Sequence, residues 1–190
     1  MPAPHVPGLL ADSLTPELRS ALGLIRMGPM AVLSIRTDET EPMPWDDLYS
    51  VLTPDLRFNM FFNHANFLQG VAPKQGSVLM VYGGGRRGRA WLDAPPDAVR
   101  DAFLADLDLL YPQVRRHIVE TWVQVWEHAG PYAGPSRWRA QAALDRGLAD
   151  RVFFAGDWVS EFVSMDTAAT TAVDAAANVR RAVGAPLAVA

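Results

Sequence analysis

The sequence predicts an α+β fold, with helices laid against a mixed sheet. Two kinds of pattern carry this reading. Short apolar or alternating runs at 30–35, 56–62, 75–82, 89–92, 120–127 and 152–154 read as strands. Segments with apolar residues three and four apart, at 15–25, 95–110, 136–148 and 165–183, read as helices. A length of 190 residues allows one or at most two domains with a real core.

Each element has a local reason. Residues 1–14 are Pro-rich and then apolar. Thr15 is a helix cap, Pro16 sits at the first helical position, and Glu17 has the sign the helix dipole favours. Leu18, Leu22 and Ile25 give that helix its buried stripe. Residues 37–44 are polar and Pro-containing, hence a loop, and 63–66 form a polar turn after the strand at 56–62. Strands at 75–82 and 89–92 are expected to pair as a hairpin across the turn Gly83-Gly84-Gly85-Arg86-Arg87-Gly88. Pro95 and Pro96 start the next helix, Val99, Phe103, Leu107 and Leu110 line it, and Tyr111-Pro112 ends it. A short helix at 113–119 leads into a Trp-bearing strand at 120–127 and a Gly/Pro loop at 129–135. Ser136 is read as the cap of the following helix, with Trp138, Ala142 and Leu148 available for burial.

Composition narrows the function. Apolar residues make up 49% of the chain, with six Trp and eight Phe, so it is globular. A net charge of -4 gives no sign of nucleic-acid binding. With no Cys there are no disulfides, thiol nucleophiles or Cys metal sites. The N-terminus lacks the pattern of a signal peptide, and no apolar run is long enough to cross a membrane. Cytoplasm is the expected location. His5, His64, His117 and His128 show no metal spacing, and no metal is expected. Asp46-Asp47 is either a carboxylate pair or a solvated turn, and the turn is the better reading. Lys74, beside sixteen arginines, is assigned no role. The run from Gly83 to Gly88 follows a strand but does not open a dinucleotide-binding helix, so a turn fits it better than a phosphate loop.

The chain is organised around its end. The run Val152, Phe153, Phe154 reads as a buried strand and stops at Ala155-Gly156-Asp157. Small residues there permit a tight turn and close approach. Ser164 then reads as an N-cap and Asp166 lies in the first turn of a helix. Met165, Ala169, Ala172, Ala176, Val179 and Val183 share one stripe of that helix. Strand, acidic turn and outward helix N-terminus make a recipe for a ligand site. The plain alternative is a β-loop-α unit that only packs.

Phe154-Ala155-Gly156-Asp157-Trp158 followed by Ser164-Met165-Asp166-Thr167-Ala168-Ala169 resembles the C-terminal FAD motif of the flavin amine oxidase superfamily. That superfamily includes the monoamine oxidases, protoporphyrinogen oxidase, and the carotenoid and squalene desaturases. Its members read Ala-Gly-Asp or Ala-Gly-Glu, a spacer, then Met-Glu-Gly-Ala, two residues and Gly. Here Thr167 stands at the first of those later glycines, and Thr171 or Ala172 at the second. The resemblance implies that Ala155, Gly156, Asp157, Trp158, Ser164, Met165, Asp166, Thr167 and Ala168 contribute to an FAD site. The acidic residue would hold the ribityl–pyrophosphate part, and the helix N-terminus would face the pyrimidine edge of the flavin, where reduction gathers negative charge.

Lower-specificity likenesses extend this. Ala3-Pro4 to Leu9-Leu10 resembles a segment that returns through the FAD domain about halfway along a full-length relative. Trp126 and Tyr132 fall where the family places substrate-side aromatics, although each also suits an ordinary core position. The implied division is 1–14 in the FAD-binding domain, 15–148 in a substrate-binding domain, and 149–190 as the closing β-α unit of the FAD-binding domain. The expected protein is the C-terminal half of an FAD-dependent oxidoreductase of amine oxidase or desaturase type. It would move hydride from a substrate C–H to flavin N5, on a small hydrophobic or amine substrate. The Gly-x-Gly-x-x-Gly half would come from a second polypeptide in a heterodimer. The alternative is a cofactor-free binding or regulatory protein descended from that half.

Overall fold

The computed structural model describes residues 1–68, 70, 73–148, 151–160 and 162–184. The chain divides into two compact units, Gly28–Glu127 and Met1–Met27 with His128–Ala190. The roles expected for 1–14, 15–148 and 149–190 divide the chain differently, and residues 149 and 150 lie outside the described residues.

The first unit is built on the sheet. Strands β1 (Met27–Thr37), β2 (Ser50–Leu52), β3 (Met60–Asn63), β4 (Val78–Gly84) and β5 (Ile118–Pro131) take the order β2-β3-β4-β1-β5. β4 is antiparallel to both β1 and β3, with Leu33 opposite Val81 and Phe61 opposite Val81. β2 is antiparallel to β3. The class is α+β as expected, with antiparallel pairs where the sequence suggested a mixed sheet. Alternation sorts the side chains: Ala31, Leu33, Ile35, Leu79, Val81 and Phe61 point to one buried face. Helix α4 (Pro96–Leu110) covers that face with Val99, Phe103, Leu104 and Leu107. Leu110, expected in this stripe, is partly exposed because Tyr111 ends the helix there.

Three expectations within this unit are corrected. The hairpin across Gly83–Gly88 does not form. Both sides of β4 are already paired, so the chain leaves it through Gly85, at φ 62°, into the short helix α3 (Arg86–Arg89). Gly88 packs so tightly that a Cβ there would lie 2.5 Å from the Gly83 carbonyl oxygen and 2.6 Å from that of Pro29. The glycine run therefore closes a helical turn onto the strand ends. The strand expected at 56–62 is shorter, beginning at Met60, because Thr53 Oγ1 donates to Phe58 O and Asp106 accepts from Arg57 N, holding the preceding residues in a turn. Asp46 is no solvated turn acid: it accepts from Met43 N and from Lys74.

The second unit gathers α1 (Val6–Leu9), α2 (Pro16–Gly23), α5 (Trp138–Arg146) and α6 (Met165–Ala182). Thr15 caps α2 as expected, accepting from Leu18 N at 3.2 Å. Leu18, Leu22 and Ile25 are buried with Ala140, Ala143, Leu144, Leu148, Trp158 and Val159. Helix α5 starts at Trp138, and its cap position is Arg137, not Ser136. Its buried face is consequently Ala140, Ala143 and Leu144, while Trp138 and Ala142 point outward. The run at 152–154 is not a sheet strand: its backbone pairing is an isolated antiparallel bridge, Leu148 to Val152.

Candidate functional site: the acidic turn and the helix that follows it

Gly156 adopts φ 135°, a region closed to residues with a Cβ. The turn is fixed from α6. Thr171 Oγ1 accepts from Gly156 N at 3.0 Å. The same oxygen lies 3.2 Å from Gly156 O, 2.9 Å from Thr167 O and 3.1 Å from Ala168 O. One hydroxyl proton serves one of those three carbonyls at a time. Sequence reasoning missed Thr171 as a clasp. Its signal was its spacing, one turn beyond Thr167 and one face inward.

Ser164 is the N-cap, extended at φ -158° and ψ 164°, and its Oγ accepts from Thr167 N at 3.0 Å. The Ser164 hydroxyl also meets Thr167 Oγ1 at 2.9 Å, which folds the threonine side chain onto the cap. Thr167 is thus accommodated within the helix start. Ala168 N already bonds Ser164 O, so the first-turn N–H groups of Met165 and Asp166 remain for a ligand. Met165 is 90% exposed, Asp166 is exposed, and Thr167 and Ala168 are half-buried. Ala155 is exposed and Asp157 half-buried. Among the described residues the Asp157 carboxylate has no hydrogen-bond partner. Trp158 differs from its neighbours. It is buried, its Nε1 donates to Met1 O at 3.1 Å, and it packs on Phe154. The loop beyond it is fastened by buried Arg137, whose guanidinium donates to Trp158 O at 2.8 Å and Ser160 O at 3.2 Å. Sequence reasoning missed that arginine too.

A cleft of about 560 Å³ opens between α5, residues 153–160 and α6. Phe153 and Phe154 form part of its wall, and Ser160, Asp166, Thr167, Thr170 and Thr171 supply polar groups. The polar lining, with the Asp166 carboxylate and the Ser160 and Thr170 hydroxyls, suits a polyhydroxylated ligand, and the first-turn N–H groups with the positive helix end suit a carbonyl or anion.

Trp126 and Tyr132 are each 45% exposed. Trp126 shares an outward row of β5 with Trp122, and the Tyr132 N–H bonds Arg26 O. They belong to different units. The sheet face opposite α4 carries Met60, Phe62, Met80 and Tyr82, with Tyr49 and Tyr82 set edge-on to Phe62. Burial, and then the neighbouring Tyr49, hold the Tyr82 hydroxyl above the usual tyrosine value, so it stays protonated. A second polar cluster, also unforeseen, lies in the same unit. Glu39 is fully buried and accepts from Ser77 Oγ at 2.6 Å and Trp45 Nε1 at 3.2 Å. Lys74 stands 3.5 Å from it and 2.7 Å from Asp46. Among the described residues no acidic and histidine cluster could hold a metal ion.

No curated protein matches the chain. Its fold is similar to that of a putative protoporphyrinogen oxidase from Exiguobacterium sp. 255-15, with a TM-score of 0.62 at 15% identity. The match covers 92% of this chain and 39% of that one, so the chain spans about two fifths of that protein's length. The model of the family described as flavin containing amine oxidoreductase matches residues 1–180. By that match over nearly its whole length, the chain belongs to the flavin containing amine oxidoreductase family.

Proposed function

We propose that this chain is the C-terminal half of an FAD-dependent oxidoreductase of amine oxidase or desaturase type, completed by a half that carries the Gly-x-Gly-x-x-Gly fold on a second polypeptide. The observation that carries the reading is the clasped turn. Thr171 locks Gly156 against α6, one residue before Asp157, whose carboxylate has no hydrogen-bond partner among the described residues. FAD, when bound, would supply a hydride acceptor at N5 for a substrate C–H bond. Asp157 would accept from the cofactor's ribityl hydroxyls. The Met165 and Asp166 N–H groups, with the helix dipole behind them, would stabilise negative charge at the flavin's carbonyl edge. Ser164 orients that helix start, and Thr171 and Gly156 keep the turn narrow.

The substrate we assign is a small hydrophobic molecule or amine. The open sheet face with Met60, Phe62, Met80 and Tyr82 supports an apolar surface for it. No helix among the described residues is long and apolar enough to cross a membrane. We place the protein in the cytoplasm.

The test is an absorption spectrum after co-expression with the polypeptide encoded beside this chain. Flavin bands that co-purify with a two-chain complex, and are lost in Asp157→Ala, are the expected result. A colourless complex would overturn the FAD assignment. Thr167 at the first later glycine position of the family pattern, with Thr171 or Ala172 at the second, favours a second reading, a cofactor-free relative that binds or regulates. A chain that purifies alone as a stable, colourless monomer would establish that one.

A further inference from the structure

The unit Gly28–Glu127 holds a second cavity, of about 510 Å³, at the end of the sheet where β1 and β3 stop and β4 begins. It shares no lining residue with the cleft beside α6, and none with the row Met60, Phe62, Met80 and Tyr82. Its inner wall is clamped. Gly76 N donates to Glu39 O at 2.8 Å, and Ser77 N donates to Thr37 Oγ1 at 2.8 Å. Gly76 adopts φ 79°, and a Cβ there would lie 1.9 Å from the Thr37 carbonyl oxygen. Asn63 is buried in the floor, where its Nδ2 donates to Trp45 O at 2.9 Å and its Oδ1 accepts from Ala65 N at 3.0 Å. A wall fixed in this way needs little ordering when a ligand arrives.

The charges of the wall do not cancel. Lys74 is the one cation among the described lining residues, and its ammonium is already engaged. It donates to both Asp46 oxygens at 2.7 and 2.8 Å and to Glu41 O at 3.1 Å. Behind Lys74 and Ser77 stands Glu39, whose side chain has no exposed surface. Its Oε1 accepts from Ser77 Oγ at 2.6 Å and lies 3.5 Å from Lys74 Nζ. Its Oε2 is sealed from solvent without a partner at normal hydrogen-bond geometry. Asp47 lines the cavity from the rim, is exposed, and makes no hydrogen bond or ion pair with the described residues. Three carboxylates, Glu39, Asp46 and Asp47, stand against one ammonium, so the site carries an excess of two negative charges. Met43 is buried in the wall, and Pro42 and Pro73 add apolar surface at the mouth. An anion is repelled here, and among the described residues no cluster could hold a metal ion.

We propose that this cavity binds a primary alkylammonium ion, its ammonium donating to Asp47 in the field of Asp46 and Glu39, and its chain lying along Met43, Pro42 and Pro73. Nothing in this inference uses the flavin reading.

The probe is hexylammonium, titrated into the full chain, with hexanol and hexanoate as neutral and anionic controls of the same length. Two-dimensional amide NMR spectra give the readout. Hexylammonium is expected to bind with a Kd on the order of 1 mM. It should move the amides of residues 40–47 and 73–77, and the indole N–H of Trp45, which bonds Glu39 and Ser77. Hexanol should bind at least roughly tenfold more weakly, and hexanoate should leave these signals in place. Asp47→Asn should lower the affinity for hexylammonium by roughly tenfold with Tm unchanged, since Asp47 bonds nothing in the fold. Three outcomes overturn the proposal: signals that stay in place up to about 20 mM hexylammonium, hexanol binding as well as the amine, or an Asp47→Asn variant that binds as the parent does. A colourless chain that shows the expected shifts keeps this site and leaves the flavin assignment to its own test. A yellow complex in which hexylammonium affinity ignores Asp47→Asn removes this site and keeps the flavin.

Discussion

Thr171 ties the acidic turn to α6 through its hydroxyl. Its Oγ1 accepts from the Gly156 N–H at 3.0 Å. Thr171→Val keeps the shape and removes the bonds, leaving the Gly156 N–H unsatisfied in a part-buried site. A loss of about 1–2 kcal/mol is expected, measurable as a lower Tm, together with faster exchange at Gly156. Thr171→Ser should restore most of both. Gly88→Ala is expected to be far worse, since its Cβ would fall 2.5–2.8 Å from the backbone of Gly83 and Pro29. A cost above roughly 3 kcal/mol, or loss of soluble protein, would fit that clash. An alanine tolerated at that position would contradict the packing described. Neither residue could be ranked from sequence, because the atoms that make them indispensable lie 15 residues away for Thr171 and on a separate strand for Gly88.

At the scale of elements, two small clusters decide where the chain turns. Ser164→Ala removes the α6 cap, and with little packing to compensate, the cost should appear as fraying of the first turn. About 1 kcal/mol is expected, read as reduced helicity. Intact helicity in that variant would mean the cap is redundant. The other cluster ties the loop after β1 to the loop before β4 through Glu39, Lys74, Asp46 and Ser77. Burial alone would raise the Glu39 carboxyl. The hydrogen bonds of Ser77 and Thr37, that of its own backbone and the Lys74 charge outweigh burial and hold it below its ordinary value. A depressed folded value means the stabilisation is complete above the unfolded value and drains as pH falls through the folded one. Tm should therefore drop below about pH 4, and Glu39→Gln should flatten that limb. Lys74→Met would leave the buried carboxylate without its cation, for a loss of roughly 2 kcal/mol after allowing for the partial exposure of Lys74. A pH profile unchanged by Glu39→Gln would remove this cluster from the account of acid stability.

The whole molecule is two units with different self-sufficiency. The unit Gly28–Glu127 has a sheet, a covering helix and a continuous apolar core. The other has a core of α2, α5 and Trp158, but carries α6 outside it. Urea unfolding of the lone chain should begin at α6 and residues 152–160, with the Trp45 environment lost last. A single transition reported identically by Trp45 and by α6 helicity would argue that α6 is fully integrated without a partner.

Local chemistry was readable from the residues alone. Thr15 and Ser164 are caps because a hydroxyl within reach of a free N–H needs only its own turn to act. The α4 face and the α+β class follow from periodicity, which is likewise a property of neighbours in sequence. Family membership was legible because Ala155-Gly156-Asp157 and Ser164-Met165-Asp166 are contiguous motifs. Tertiary structure decided the rest. The expected hairpin failed because β4 already had two partners, and pairing is settled by strands distant in sequence. The run Val152-Phe153-Phe154 has strand composition without a sheet beside it, since composition cannot supply a neighbour. The α6 stripe shares one face, as its spacing predicts, and that face is exposed. Spacing shows which residues share a face, but only the surroundings decide whether that face turns to the core or to solvent, and here the clasp at Thr171 turned it out.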